Sequence, residues 1–267
     1  MITEVSDAIW KITGSDEGPT ITIIGGTHGN EQTGIEVVKR LYAKTEKGEV
    51  KIAAGTLFLI LGNPKAIELG QRGSAAHQDL NRCFPLDLFD RKPDGTYEDK
   101  RAREIAPILA ESDVVVDLHA ANKPTEPFLA CLHSETHADV YRWFPCMKVL
   151  TDPNYVLGGT PVTTDEYTEA HGGIGICYET GLAWDTTWVD GVLNHVMNLF
   201  RYKGLVNEDI LKDQSCDQEI FELVEPITLT EKGFVYEGTL GEQSWDVFLR
   251  GDILGYHGDE QLIAQFD

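Results

Sequence analysis

The sequence predicts an α/β protein: a mixed, mostly parallel sheet flanked by helices over residues 1–205, followed by a small β-rich segment over residues 206–267. Three observations carry this. Apolar, β-branched runs end repeatedly in glycine or proline, amphipathic stretches at helical spacing lie between them, and the texture changes after Leu205. Strands that alternate with helices favour parallel pairing, because each parallel neighbour needs a long crossover that a helix supplies.

In order, "TITIIG" (20–25) is β-branched and stops at Gly25-Gly26, the pattern of a buried strand running into a turn. "EQTGIEVVKRLYAK" then sets Ile35, Val38, Leu41 and Tyr42 on one helical stripe. "GTLFLILGNP" (55–64) is a strand closed by Asn63-Pro64, and "DKRAREIAPILAES" (99–112) is helical. "SDVVVDLHAA" (112–121) is a strand with His119 near its end. "EPFLACLH", "MKVLTD" and "GGIGICYETG" supply further strands, and "TTWVDGVLNHVMNLFRYKGL" (186–205) another helix. Beyond Leu205, short β-rich runs are separated by Glu-Lys-Gly, Leu-Gly-Glu, Arg-Gly-Asp and His-Gly-Asp turns.

Forty-four acidic against 22 basic residues leave a net charge of −22, which opposes binding to nucleic acid and to anionic membranes. No apolar run is long enough to span a bilayer, and the N-terminus lacks a basic, then apolar leader, so a cytoplasmic location is expected. The five cysteines (83, 131, 146, 177 and 216) are scattered with no C-x-x-C pair, which argues against a disulfide scaffold or a cysteine zinc cluster.

Ligands of such sheets bind beyond the carboxyl ends of the strands, where His28, Asn63, His119 and Glu179 fall. Catalytic zinc commonly takes two histidines and a carboxylate, which His28, Glu31 and His119 supply by type. Each motif has a second reading. His28-x-x-Glu31 also suits a helix start, and Asp117 with His119, on one strand face, also suits a core histidine held by a buried aspartate. Arg72, Asp79, Asn81 and Arg82 lie in "RGSAAHQDLNRCFP", which reads as a carboxylate grip or as a solvated loop. Glu179 reads as a general base or as a structural acid.

Taken together, His28-Gly29-Asn30-Glu31, Asn63-Pro64, Arg72, Asp79-Leu80-Asn81-Arg82-x-Phe84-Pro85, Asp117-Leu118-His119 and Tyr178-Glu179-x-Gly181 resemble, in order, the succinylglutamate desuccinylase/aspartoacylase family. The resemblance implies a zinc carboxypeptidase-like fold and a zinc-dependent amidohydrolase acting on a small N-acyl amino acid. It implies one zinc per chain held by His28, Glu31 and His119, with Glu179 activating water and Arg72 stabilising the oxyanion. Asn81 and Arg82 match the pair that holds the substrate carboxylate, and Tyr236 is a candidate for a tyrosine reaching the substrate from the C-terminal segment. A carboxypeptidase acting on short peptides and a non-catalytic zinc- or ligand-binding protein are the alternatives, and a homo-oligomer is open. One departure stands out. Family members acting on acylated aspartate carry an arginine roughly ten residues before the catalytic glutamate, whereas this chain reads "TTDEYTEAHGG", leaving His171 or Tyr167 as candidates to meet a different side chain.

Overall fold

The computed structural model describes residues 2–156, 159–208, 218–226, 233–242 and 244–265. The chain begins with a hairpin, β1 (Ile2–Ser6) and β2 (Ile9–Thr13), before the long central strand β3 (Asp16–Gly25). Then follow α1 (Gln32–Glu46), β4 (Ala54–Leu61), α2 (Pro64–Leu69), a 3₁₀ turn (Leu80–Arg82), α3 (Tyr97–Glu111) and β5 (Val114–Ala121). Next come β6 (Phe128–Ala130), α4 (Glu135–Tyr141), β7 (Lys148–Thr151), α5 (Thr164–Ala170), β8 (Ile174–Leu182) and α6 (Val189–Tyr202). The remaining strands are β9 (Glu219–Glu222), β10 (Phe234–Tyr236), β11 (Ile253–His257) and β12 (Glu260–Ile263).

Nine strands among the described residues form one mixed sheet in the order β1-β2-β4-β3-β5-β8-β6-β7-β9. The β4-β3-β5-β8 centre is parallel, and β2 and β6 join it antiparallel. A separate antiparallel sheet of three strands, β10-β11-β12, lies in the C-terminal segment. That segment also contributes β9, which pairs with β7 at the edge of the large sheet, so the break in texture at Leu205 is not a break in the sheet.

Period-two alternation sorts side chains to the two faces. Ile21, Ile23, Leu57, Leu59, Val114, Val116, Ile176 and Tyr178 point to one core, shared with Val37, Val38 and Leu41 of α1 and Val192, Val196 and Phe200 of α6. Ile24, Phe58, Ile60 and Val115 point to the other, with Leu80, Phe84, Ile105 of α3 and Tyr167 of α5. The same alternation carried forward puts Asp117 and His119 of β5, and Cys177 and Glu179 of β8, on the α3/α5 side.

The chain leaves β3 toward β4 on one side and returns through β5 on the other, so the sheet order reverses at β3. Such a switch point opens a crevice beyond the strand ends. Glycines let the flanking pieces close on it. A Cβ at Gly25 would lie 2.1 Å from the Gly34 carbonyl oxygen, and one at Gly34 would lie 2.4 Å from that of Leu118. The start of α1 is thereby seated directly on β3 and β5.

Candidate metal centre and active site

His28 lies just beyond β3, Glu31 at the N-cap position of α1, and His119 near the end of β5, all three buried. One ligand atom from each falls within 4.8 Å of the others. Glu31 does not cap its helix with its side chain. Instead Oε1 lies 2.7 Å from His28 Nδ1, and Oε2 lies 3.0 Å from His119 Nδ1 and accepts from the Ala120 amide. The two Nδ1 atoms are 3.2 Å apart. A helix-start glutamate turned away from its own helix toward two imidazoles is the behaviour of a ligand.

Both outward nitrogens meet carboxylates. His28 Nε2 lies 2.9 Å from Asp79 Oδ1, and His119 Nε2 lies 3.0 Å from Asp117 Oδ2. Asp117, fully buried, also accepts from the Thr27 and Thr164 hydroxyls. Carboxylates behind metal-ligating histidines fix the ring orientation and tautomer and leave the inner nitrogen available. Here the fit to a divalent cation is chemical: two imidazole nitrogens and a carboxylate converge, and Glu31, Asp79 and Asp117 supply the negative charge. Burial alone would raise the Glu31 pKa, but the charge and hydrogen bonds of His119 and His28 outweigh it and hold it at about 2. Burial opposes a charged His119, yet Asp117 and Glu31 drive its pKa well up, so the cradle attracts positive charge.

Glu179 stands beside His119 in register on the neighbouring parallel strand. Its Oε2 is buried and has no hydrogen-bond partner. Burial raises its pKa and the nearby Glu31 adds to this, while His119 works against both. Arg72 gives two bonds to Asp79 Oδ2, at 3.2 and 2.9 Å, and its Nη1 reaches 3.9 Å from Glu31 Oε1. Asn81 takes the Thr164 amide on Oδ1 and lies 3.4 Å from His119 Nε2 through Nδ2, while Arg82 donates to the Asn81 carbonyl. His28, Glu31, Arg72, Asn81, Arg82, His119 and Glu179 all line a single cavity of about 320 Å³.

Residues 17–190, more than half of the chain, match the succinylglutamate desuccinylase/aspartoacylase catalytic domain. The chain belongs to this family. A probable aspartoacylase of Nostoc sp. is 43% identical over 105 residues, 38% of this chain and 34% of that protein. A rat N-acyl-aromatic-L-amino acid amidohydrolase (carboxylate-forming) is 31% identical over 134 residues, 47% of this chain and 40% of that protein. These matches therefore span well under half of the relatives' length. The fold of a succinylglutamate desuccinylase from Vibrio parahaemolyticus is similar, with a TM-score of 0.75 at 16% identity, covering 97% of this chain and 79% of that one.

Not every residue singled out in the sequence reaches the family's site in this chain. Tyr236 does not line the cavity: β10 belongs to the separate small sheet, where the Tyr236 ring packs over Gly241 and against Phe234, about half exposed. Tyr167 packs in the core on Phe84, and His171 is tied to the Tyr167 carbonyl, so neither meets the cavity. Asn63 caps α2 and bonds Glu98, which also receives the Ser74 amide and hydroxyl, so it anchors the loop that carries Arg72. Asp79, behind His28, reads in the sequence only as part of a carboxylate grip or a solvated loop, and Thr164, which donates to the Asp117 carboxylate behind His119, is not singled out there. Cys83, Cys131, Cys146 and Cys177 form no disulfide among the described residues, and Cys216 lies outside the described residues. Among the described residues no helix is long and apolar enough to cross a membrane.

Proposed function

We propose that the chain is a zinc-dependent amidohydrolase that cleaves an N-acyl amino acid into a carboxylate and a free amine. The observation that carries this is Glu179: a buried carboxylate oxygen without a partner, in register with His119, facing the same cavity as the His28–Glu31–His119 cradle. A binding protein needs no unsatisfied acid there, whereas a hydrolase needs a base beside the attacking water.

Zinc held by His28, Glu31 and His119 would supply Lewis acidity, bringing the pKa of a water down to about 7 and polarising the acyl carbonyl. Glu179 takes the proton as the water oxygen bonds to the acyl carbon. It returns that proton to the nitrogen as the C–N bond breaks, so the amine leaves neutral. Arg72, held at the cradle's edge by Asp79, stabilises the oxyanion, a contribution worth about 2.7–4 kcal/mol for a single donor. Asn81 and Arg82 hold the substrate carboxylate, with Asn81 fixed by the Thr164 amide. A cavity of about 320 Å³ suits a small molecule better than a long peptide.

Amine release from N-acetyl and N-succinyl amino acids, with and without a chelator, tests the reading. Chelator-sensitive release is expected, and zinc-loaded protein inert across the panel would contradict it.

A further inference from the structure

The C-terminal segment reaches the cavity of the metal cradle at two places. Leu223, just past β9, lines it directly, and Trp245 stands behind its wall. The Trp245 indole meets the Phe128 ring edge-on, with centroids 5.0 Å apart, and Phe128 is part of the cavity lining. In the antiparallel ladder of β6 and β8, Phe128 is the direct partner of Glu179. Such partners point to one face with Cβ atoms about 4.5–5.5 Å apart, so the phenyl ring stands beside the proposed general base. We propose that Trp245 is a positioning residue: it backs Phe128, and the ring so supported sets the room for the acyl group of the substrate. This rests on the deacylase reading above and names the residue that limits its acyl specificity.

The packing is that of a strut. Besides Phe128 of β6, the indole meets Phe221 of β9 at 5.0 Å, and the Lys148 ammonium of β7 lies 5.6 Å over its ring. One side chain thus spans three consecutive strands of the large sheet, β6-β7-β9. Edge-on aromatic pairs add a preferred geometry to the area that they bury. The backbone around Trp245 is tied to the loop that leads into β6. The Ser244 amide donates to the Pro124 carbonyl at 3.4 Å, Lys123 Nζ donates to the Gly241 carbonyl, and Asp246 accepts from the Gly241 amide.

Local demands do not call for tryptophan at this position. Its φ of +69° lies in the left-handed region that bulky residues avoid, and its Nε1–H is buried without an acceptor among the described residues. Glycine would suit the backbone but leave the bridge empty, whereas phenylalanine would bridge without the orphaned donor. The ring, rather than the indole N–H, is what supports Phe128. The direction of the substrate follows from the proposed carboxylate grip. Asn81 lies 3.4 Å from His119 of β5 and accepts from the Thr164 amide, and the sheet order β5-β8-β6 puts Phe128 across Glu179 from it. A substrate held there by its carboxylate, with its amide at the cradle, extends its acyl group toward Phe128.

The test uses the full chain supplied with zinc and two substrates that share one amino acid, the one released fastest in the panel above, and differ in an acetyl or a benzoyl group. In Trp245→Ala the Phe128 ring loses its backing, so the benzoyl-to-acetyl ratio of kcat/KM should rise at least about tenfold, while Trp245→Phe should keep the parent ratio. The ratio is measured within one preparation and does not depend on the folded fraction, so a role in stability alone would leave it unmoved. If Trp245→Ala does not fold, Trp245→Leu takes its place. In a Phe128→Ala background, where the wall itself is open, the same substitution should move the ratio no further. A ratio unmoved in the single variant, or moved again in the Phe128→Ala background, overturns the proposal. If the parent cleaves neither substrate the deacylase reading fails, and calorimetry with N-acetylglycine and N-benzoylglycine gives the corresponding ratio of Kd values. Benzoyl binding that gains about tenfold on acetyl in the variant would sustain the role of Trp245, and an equal shift or absent binding would overturn it.

Discussion

Asp79 lies 2.9 Å from His28, and with its other oxygen it holds Arg72, so one carboxylate ties together the histidine proposed as a metal ligand and the arginine proposed as the oxyanion donor. Asp79→Ala should therefore weaken zinc about 10–100-fold and lower turnover with it, as loss of the group behind a ligating histidine does. A competition titration with a chromophoric chelator measures the first. The same substitution removes the side chain that caps the 3₁₀ turn at Asn81, so a urea melt should accompany it.

Much of this site is written in short runs. Val115, Asp117 and His119 share a face by simple alternation, which is why an apolar strand ending in two polar groups is informative. Asp79 is different: its partners, His28 and Arg72, are brought to it only when the loop closes over the sheet. Glu98 looks like a helix-surface acid, yet it is buried and bonded to Asn63 and Ser74. Helix α5 is not read from the sequence: at seven residues it offers too few turns for a periodic stripe, and its Thr163–Glu166 capping box emerges only in the fold. The hairpin β1–β2 was equally hidden, because most of its outer strand is exposed and carries little apolar pattern. Tyr236 showed the converse: an aromatic in an alternating run says nothing about which sheet it joins.

Gly34→Ala should destabilise the fold. Helix propensity alone would favour alanine by about 1 kcal/mol, yet the new methyl would lie 2.4 Å from the Leu118 carbonyl oxygen. The clash involves backbone, so a net loss of about 1–3 kcal/mol is expected in a denaturant melt, with α1 and its Glu31 pushed off β5. A stabilised variant would contradict the close seating of α1.

Breaking the buried cluster around Asp117 should cost more. Asp117→Ala leaves His119, Thr27 and Thr164 without their common acceptor, and a loss of about 3–5 kcal/mol is expected. Equilibrium unfolding in urea checks this. A change within about 0.5 kcal/mol would mean that the cluster adds nothing to stability.

His195 gives the fold an acid-sensitive point away from the site. Burial lowers its pKa to about 4 from 6.5, so the folded protein holds it neutral where the unfolded chain would take up a proton. The resulting stability is present above pH 6.5 and is lost as pH falls from there through about 4. His195→Gln should flatten that part of the stability–pH curve relative to the parent. Parallel curves over the window would remove His195 from the account.

The most direct test is Glu179→Gln, with metal content and turnover measured on the same preparation. About one zinc per chain should be retained, since Glu179 is not one of the three converging candidate ligands. Turnover of an N-acyl amino acid should fall by at least about 10²–10⁴-fold, because the group proposed to move the proton is gone. Zinc retained with turnover intact would contradict the role given to Glu179, and zinc lost would show that Glu179 belongs to the cradle itself.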